Sequence, residues 1–192
     1  MLTVLALDLG VILHAAVITG TSSTPVLLET GAVEWRGPGD TEAVIAFLEE
    51  IIGRYQISHE NAPGARGGCL STPEGVSEAP TWQRVRNSAP VVIAVEETFS
   101  AGRSLPGRRD IGRLHEHQGA YLEGVFRGRV QVVRVPPVND QEAAVAWTVF
   151  GRPAAAKGPH HKDCCGVGLK CLIRQEDAKR QARIAQEVGA SG

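Results

Sequence analysis

One stretch limits the architectures open to this chain more than any other. Val91-Val92-Ile93-Ala94-Val95 is an uninterrupted, largely β-branched apolar run, and it stops abruptly at Glu96-Glu97. A continuous run of this kind reads as a strand buried on both faces, as in the parallel part of a sheet covered by helices on each side. Carboxylates at the carboxyl end of such a strand stand where open α/β sheets place ligands. An acid there is costly unless something cationic pairs with it. Glu96 is therefore read as a metal ligand, against the alternative of an exposed loop acid just past a strand end.

Around this strand the chain divides into short elements. Leu2 to Leu9 is a strand with Asp8 near its end, followed by Gly10, an Asp-x-Gly motif. Val11 to Thr19 and Val26 to Trp35 continue as strands with short links, an antiparallel meander. Asp40 or Thr41 caps a helix to about Tyr55, whose Val44, Ile45, Phe47, Leu48, Ile51 and Ile52 recur at helical spacing. Ser58 to Ala89 changes character, with Gly, Pro, Ser, Asn and Glu dominant, and reads as a long loop with Trp82 as its one large aromatic residue. After the Val91 strand, a polar, arginine-bearing loop runs through Arg109. Asp110 caps a helix over Ile111 to Phe126, in which Gly119 and Ala120 permit close helix packing. Val130 to Val135 is a strand stopped by Pro136-Pro137. Asn139 or Asp140 caps a helix to about Phe150, and a last helix runs from near His160 to Val188, with a solvated, mixed-charge second half. A meander followed by alternating helices and strands gives an α/β fold: a mixed five-stranded sheet, three antiparallel strands plus two parallel ones, flanked by helices. The length suits one domain spanning 1–192.

No apolar span is long enough for a membrane helix, and the N-terminus does not have the pattern of a signal peptide, so a cytoplasmic setting is expected. Cys69, Cys164, Cys165 and Cys171 then read as reduced thiols. The net charge of -1 excludes a uniformly basic nucleic-acid binder. The distribution is uneven, however. Arg103, Arg108, Arg109, Arg113, Arg127, Arg129 and Arg134 are opposed only by Asp110, Glu116 and Glu123, and arginine's planar fork suits phosphate. A G+C-rich genome would enrich arginine equally well.

Asp8, Glu96 and Asp163 are far apart in sequence. If the first and fourth strands are neighbours, Asp8 and Glu96 stand side by side, and a helix docking its first turn there adds Asp163. Three carboxylates at one point require cations between them. Magnesium or manganese are the natural occupants, and two such ions are the pairing that splits phosphodiesters. His160 lies three residues before Asp163 and points the same way on a helix, as a metal ligand or a proton-transfer group. His161 is rotated away and reads as a surface residue.

The segments Leu5-Ala6-Leu7-Asp8-Leu9-Gly10, Ala94-Val95-Glu96-Glu97-Thr98-Phe99 and His160-His161-Lys162-Asp163 resemble the three catalytic motifs of the RuvC family, Holliday junction resolvases of the ribonuclease H-like superfamily. Leu114 to Val125 is similar to the family's helix after the second motif, which carries its homodimer contact. The resemblance implies a ribonuclease H-like fold and metal-binding, catalytic roles for Asp8, Glu96, His160 and Asp163. It implies two Mg²⁺ ions, with Mn²⁺ as substitute. The implied activity is a homodimeric endonuclease that resolves four-way DNA junctions by paired symmetric nicks in recombination and repair, in a bacterial or phage-infected cell. Phe99 matches an aromatic position the family uses against unstacked bases, the other reading being a core aromatic. Arg103, Arg108, Arg109, Arg113, Arg152 and Lys157 are the expected DNA contacts.

Three departures accompany the resemblance. The 58–89 loop is longer than the family's link. The region 139–159 is shorter, with one helix in place of two. Of the cations that grip phosphates there in relatives, only Arg152 and Lys157 are available. Competing readings are a zinc site built from His160, His161, Cys164, Cys165 and Cys171, for which Cys69 offers no second paired cluster, and a non-catalytic ribonuclease H-like binding module. A related nuclease acting on other branched or RNA-containing substrates, and an actin-like ATPase fragment, which would need a second Asp-x-Gly loop, complete the alternatives.

Overall fold

The computed structural model describes residues 2–55, 91–97, 106–154 and 158–189, with the side chains of 106–110 outside that description. The 58–89 loop with Cys69 and Trp82, and also Phe99, Arg103 and Lys157, lie outside the described residues. The elements are β1 (Leu2–Asp8), β2 (Ile12–Gly20), β3 (Pro25–Glu34), α1 (Thr41–Tyr55), β4 (Val91–Glu96), α2 (Pro106–Phe126), β5 (Gln131–Val135), α3 (Asp140–Val149) and α4 (Pro159–Gly189). They form one five-stranded sheet in the order β3-β2-β1-β4-β5. β1, β2 and β3 pair antiparallel, and β1, β4 and β5 pair parallel. The mixed sheet expected from the sequence is the one found.

Two local details differ from expectation. α2 starts at Pro106, not after an Asp110 cap. Proline is favoured at the first helical position, where its missing N–H would have no intrahelical partner. Arg108 and Arg109 therefore belong to the helix and not to a loop. Gly119 does not serve helix packing. A Cβ there would stand 2.5 Å from Arg134 Nη1, so the glycine makes room for a β5 side chain. At α3 the cap is Asn139, which accepts from the Glu142 N–H while Glu142 reaches back to the Asn139 N–H, both at 2.9 Å.

Side chains alternate across the sheet, and this divides the core in two. Leu5, Leu7, Leu13, Val17, Ile93 and Val95 face one side, where they meet Leu48 and Ile51 of α1, Leu122 and Phe126 of α2, and Trp35. Val4, Ala6, Ala16, Ile18, Val92 and Ala94 face the other and meet Cys164, Val167, Cys171 and Leu172 of α4. On that second face Ala6 pairs with Ala16 on one flank and Ala94 on the other. The row of methyl groups lets α4 come close. A Cβ on Gly168 would clash with Ile18 and meet the Ala6 Cβ at 3.4 Å. Among the described residues no helix is long and apolar enough to cross a membrane.

Candidate metal centre

The register that makes the alanine row also makes the next row polar. β1 and β4 are parallel with Leu7 beside Val95, so one residue further Asp8 comes alongside Glu96. In β2, His14 pairs with Asp8. His14, Asp8 and Glu96 therefore continue the face that carries Ala16, Ala6 and Ala94, at the carboxyl end of the parallel strands. α4 enters over this end. Close packing below allows its first turn to reach the polar row.

The result is a convergence of distant residues. His160 Nδ1 lies 2.8 Å from Asp8 Oδ2. One ligand atom from each of Asp8, His160 and Asp163 falls within 4.8 Å of the other two. Glu96 stands outside this tightest group. Its Oε1 accepts from the Val138 N–H at 2.6 Å, which turns the carboxylate toward the β5–α3 connection. Gly166 permits that contact, because a Cβ there would lie 2.5 Å from Val138 Cγ1. Lys170 donates to the Pro137 carbonyl at 2.5 Å and pairs with Glu142 at 3.0 Å, holding the same connection to α4.

The electrostatics register unbalanced negative charge. Burial pushes the Glu96 carboxyl above its ordinary pKa, and the charges of Asp8 and Asp163 push it the same way, against the Val138 hydrogen bond and Lys170. Burial also raises Asp163, with Asp8 adding to the effect and His160 opposing it. Two carboxylates and an imidazole nitrogen on a partly buried, acid-rich row fit a divalent cation, and the oxygen donors suit Mg²⁺ or Mn²⁺. The residues that would hold it are Asp8, His160 and Asp163, with Glu96 next to them.

Three residues of the site were not singled out from the sequence. The His14 ring stacks on His160 with centroids 4.6 Å apart and planes 9° from parallel. Burial and the neighbouring His160 lower its pKa, which favours the neutral ring. The signal was present: Asp-x-Gly followed by a hairpin places a residue of β2 opposite Asp8. His115 of α2 approaches the Asp8 turn, its pKa lowered by burial. Buried Gln118, one turn further along α2, donates from Nε2 to the Gly10 carbonyl at 3.0 Å. It ties the Asp-x-Gly turn to the helix. Helical spacing joins His115 and Gln118, but nothing in the sequence says that this helix reaches the Gly10 turn.

His161 departs from its surface assignment. It is partly buried, edge-on to His14 at 5.5 Å, because β2 runs under the first turn of α4 and His14 fills the space between the two helix histidines. The zinc reading loses its thiols to the core. Cys164, Cys165 and Cys171 are buried, and burial pushes Cys165 and Cys171 up to about 11. Among the described residues, the His, Cys, Asp and Glu side chains close enough to share one ion are Asp8, His160 and Asp163, with no cysteine in the group. Of the expected DNA contacts, Arg113 is exposed on α2 and Arg152 is exposed after α3. Arg129 and Arg134 are engaged by Glu49 and Glu123. Phe99, Arg103, Lys157 and the Arg108 and Arg109 side chains fall outside the described residues.

No family model matches the sequence, and no curated protein matches it. Solved structures do. The fold superposes on Thermus thermophilus RuvC with a TM-score of 0.55 at 17% identity, covering 92% of this chain and 97% of that one. It superposes on T. thermophilus RuvC in complex with Holliday junction substrate with a TM-score of 0.56 at 16% identity, covering 92% and 96%. The fowlpox virus Holliday junction resolvase aligns more loosely, with a TM-score of 0.45 at 12% identity. The fold is RuvC-like, as the sequence motifs implied.

Proposed function

We propose that this chain is a metal-dependent, structure-selective DNA endonuclease of the RuvC type that acts on four-way junctions as a homodimer, with residues 1–192 forming one nuclease domain. The observation that carries the reading is the convergence of Asp8, His160 and Asp163 within 4.8 Å at the carboxyl end of β1, on a RuvC-like fold. When bound, a divalent cation supplies Lewis-acid stabilisation of charge on the scissile phosphate.

The chain's own residues define the rest. Asp8 and Asp163 present carboxylate oxygens from two different elements, so the bound group is fixed from two directions. Glu96 is aimed by the Val138 N–H. His160 Nδ1 stands 2.8 Å from Asp8 Oδ2, and with the hydrogen of that contact on Nδ1 a neutral ring keeps Nε2 as an acceptor. His14 stacks on the imidazole and fixes its plane. Gln118 holds the Gly10 carbonyl and with it the turn that follows Asp8. A two-fold dimer would set two such sites on a two-fold junction, which accounts for paired nicks on opposing strands.

The test is cleavage of a synthetic four-way junction, with linear duplex and flap controls, with Mg²⁺, with Mn²⁺ and with chelator. Metal-dependent symmetric nicks confined to the junction support the reading. Preference for another branched substrate keeps the site chemistry and removes the resolvase assignment. Absence of cleavage with either ion overturns the nuclease reading in favour of a binding module.

A further inference from the structure

The β5–α3 connection is held by one face of α4. Gly166, Lys170 and Arg174 recur every fourth residue and share that face. Gly166 makes room for the Val138 side chain. Lys170 reaches the Pro136 and Pro137 carbonyls and Glu142, and the Arg174 guanidinium donates to the Arg134 carbonyl. One of these contacts bears directly on the acid row. The Pro137 carbonyl that accepts from Lys170 and the Val138 N–H that donates to Glu96 Oε1 belong to the same amide. We propose that Lys170 is a positioning residue for the metal centre: its ammonium fixes and polarises the Pro137–Val138 peptide, and that peptide aims the Glu96 carboxylate. The proposal rests on the metal-dependent reading above and names what holds the outlying acid of that site in place.

Geometry is the first argument. The peptide is trans and planar, so its carbonyl and its N–H point in opposite directions. A donor that fixes the carbonyl therefore fixes the direction of the N–H. Lys170 Nζ lies 2.5 Å from the Pro137 oxygen, and Glu96 Oε1 lies 2.6 Å from the Val138 nitrogen. Both bonds involve a charged group, the shorter and stronger kind. A cation at one end of an amide and an anion at the other polarise it in the same sense, so each bond strengthens the other.

The sequence of the connection is the second. Pro136 and Pro137 carry no N–H, so Val138 is the first residue after β5 whose backbone can donate to Glu96. β5 is also an edge strand, with no further strand to take up the carbonyls beyond it. Lysine and arginine from α4 supply the donors instead.

The engagement of the lysine is the third. An ammonium has three N–H donors. Among the described residues Lys170 has three acceptors for them: the Pro137 oxygen, Glu142 Oε2 at 3.0 Å and the Pro136 oxygen at 3.4 Å. This cation is engaged within the fold and not offered to a substrate. Glu142 is in turn the arm of the α3 cap that reaches the Asn139 N–H, so the start of α3, the connection and α4 are joined at one ammonium. α4 presents His160 and Asp163 directly. Through Lys170, about two turns beyond Asp163, it also sets Glu96. One helix thereby controls three of the four residues of the centre, although Glu96 belongs to a strand.

Variants of the full chain test this without DNA: Lys170→Met, Lys170→Arg and Glu142→Gln, with Lys170→Met repeated in a Glu96→Gln background. Mn²⁺ affinity is measured by calorimetry, and the Val138 amide proton is followed by NMR in the absence of metal. Lys170→Met is expected to weaken Mn²⁺ binding roughly tenfold, the scale lost when the hydrogen-bond support of a ligand is removed. Its Val138 amide proton is expected to move upfield, as a weakened hydrogen bond requires. Lys170→Arg is expected to recover most of both. Glu142→Gln keeps the reach to the Asn139 N–H and removes only the ion pair, so its Mn²⁺ affinity is expected to stay within about twofold of the wild type. In the Glu96→Gln background Lys170→Met is expected to add no further loss, because the residue it acts through is already altered. Wild-type Mn²⁺ affinity and an unmoved Val138 amide in Lys170→Met overturn the proposal. A loss of equal size in Glu142→Gln, or an undiminished one in the Glu96→Gln background, also overturns it and makes Lys170 a tie between α3 and α4 alone. A wild type that binds Mn²⁺ and gives the expected responses but cleaves no branched DNA removes the nuclease reading and leaves Lys170 in its role. A wild type that takes up no Mn²⁺ overturns both.

Discussion

The two faces of one sheet are built by different rules. Toward α1 and α2 the central strands present Leu5, Leu7, Leu13, Val17, Ile93 and Val95, large residues that meet Leu48, Leu122, Phe126 and Trp35. Toward α4 the same strands step from Val4, Ile18 and Val92 to the alanines at 6, 16 and 94, and then to His14, Asp8 and Glu96. The first face excludes water by bulk. The second narrows so that a helix can descend on it, and its last row is left polar. Both faces bury core side chains, but the second ends in a row that positions chemistry, and the separation follows from the two-residue period of a strand.

That contrast can be broken by substitution. The largest effect on stability belongs to the bulky face. Ile93 is fully buried, so Ile93→Ala leaves a cavity in the core and is expected to cost about 2–5 kcal/mol in denaturant unfolding. A loss well under 1 kcal/mol would mean that this face is not the main source of stability. On the narrow face the sensitive direction is the reverse. Gly168→Val forces side-chain atoms into Ile18 and Ala6, and overpacking of this kind costs about 1–3 kcal/mol. It also lifts α4, so cleavage should fall more than stability alone explains. Full activity in Gly168→Val would show that the helix need not sit close for the site to form. Gln118→Leu removes the hold on the Gly10 carbonyl at a cost of about 1 kcal/mol. Its turnover should drop while junction affinity is retained, and an unchanged turnover would remove Gln118 from its positioning role.

The smallest expected effect has the opposite sign. Burial, reinforced by Asp8, raises the Asp163 carboxyl pKa. A raised acid means that the folded chain binds its proton more tightly than the unfolded chain. Stability is therefore lost as pH climbs from the ordinary value of 3.8 through the raised one, and the full penalty is present at pH 7. Asp163→Asn carries no such penalty. It should melt a few degrees higher than the wild type at pH 7, with the gap narrowing as pH is lowered toward 3.8, while losing cleavage. Saturating Mg²⁺ or Mn²⁺ should raise the wild-type Tm through preferential binding to the folded state and leave Asp8→Asn nearly unmoved. A lower Tm in Asp163→Asn at every pH would contradict the account of unbalanced charge.

The same contrast explains which features were legible in the sequence. The apolar run at 91–95 and the strand ending in Asp8 announced a buried parallel pair, and their register alone brings the two acids together. His160 and Asp163 were readable as one helix face. His14 was not singled out because a lone histidine in an apolar strand gains meaning only once the hairpin register sets it opposite Asp8. His161 was misplaced because helical rotation says which way a side chain leaves its helix and not what stands there. β2 stands there, with His14 on it. Gln118 depends on tertiary packing, α2 against the Gly10 turn, which no local spacing encodes.

The central claim is that the polar row and the first turn of α4 form a single cleavage site. The direct test is single-turnover cleavage of a four-way junction by the wild type and Asp8→Asn side by side, with junction affinity measured on the same preparations. The account predicts metal-dependent nicking by the wild type, a loss of at least ~1000-fold in Asp8→Asn, and junction affinity retained in the variant, because the cations that hold DNA are untouched. Cleavage by Asp8→Asn at a rate near that of the wild type would contradict it.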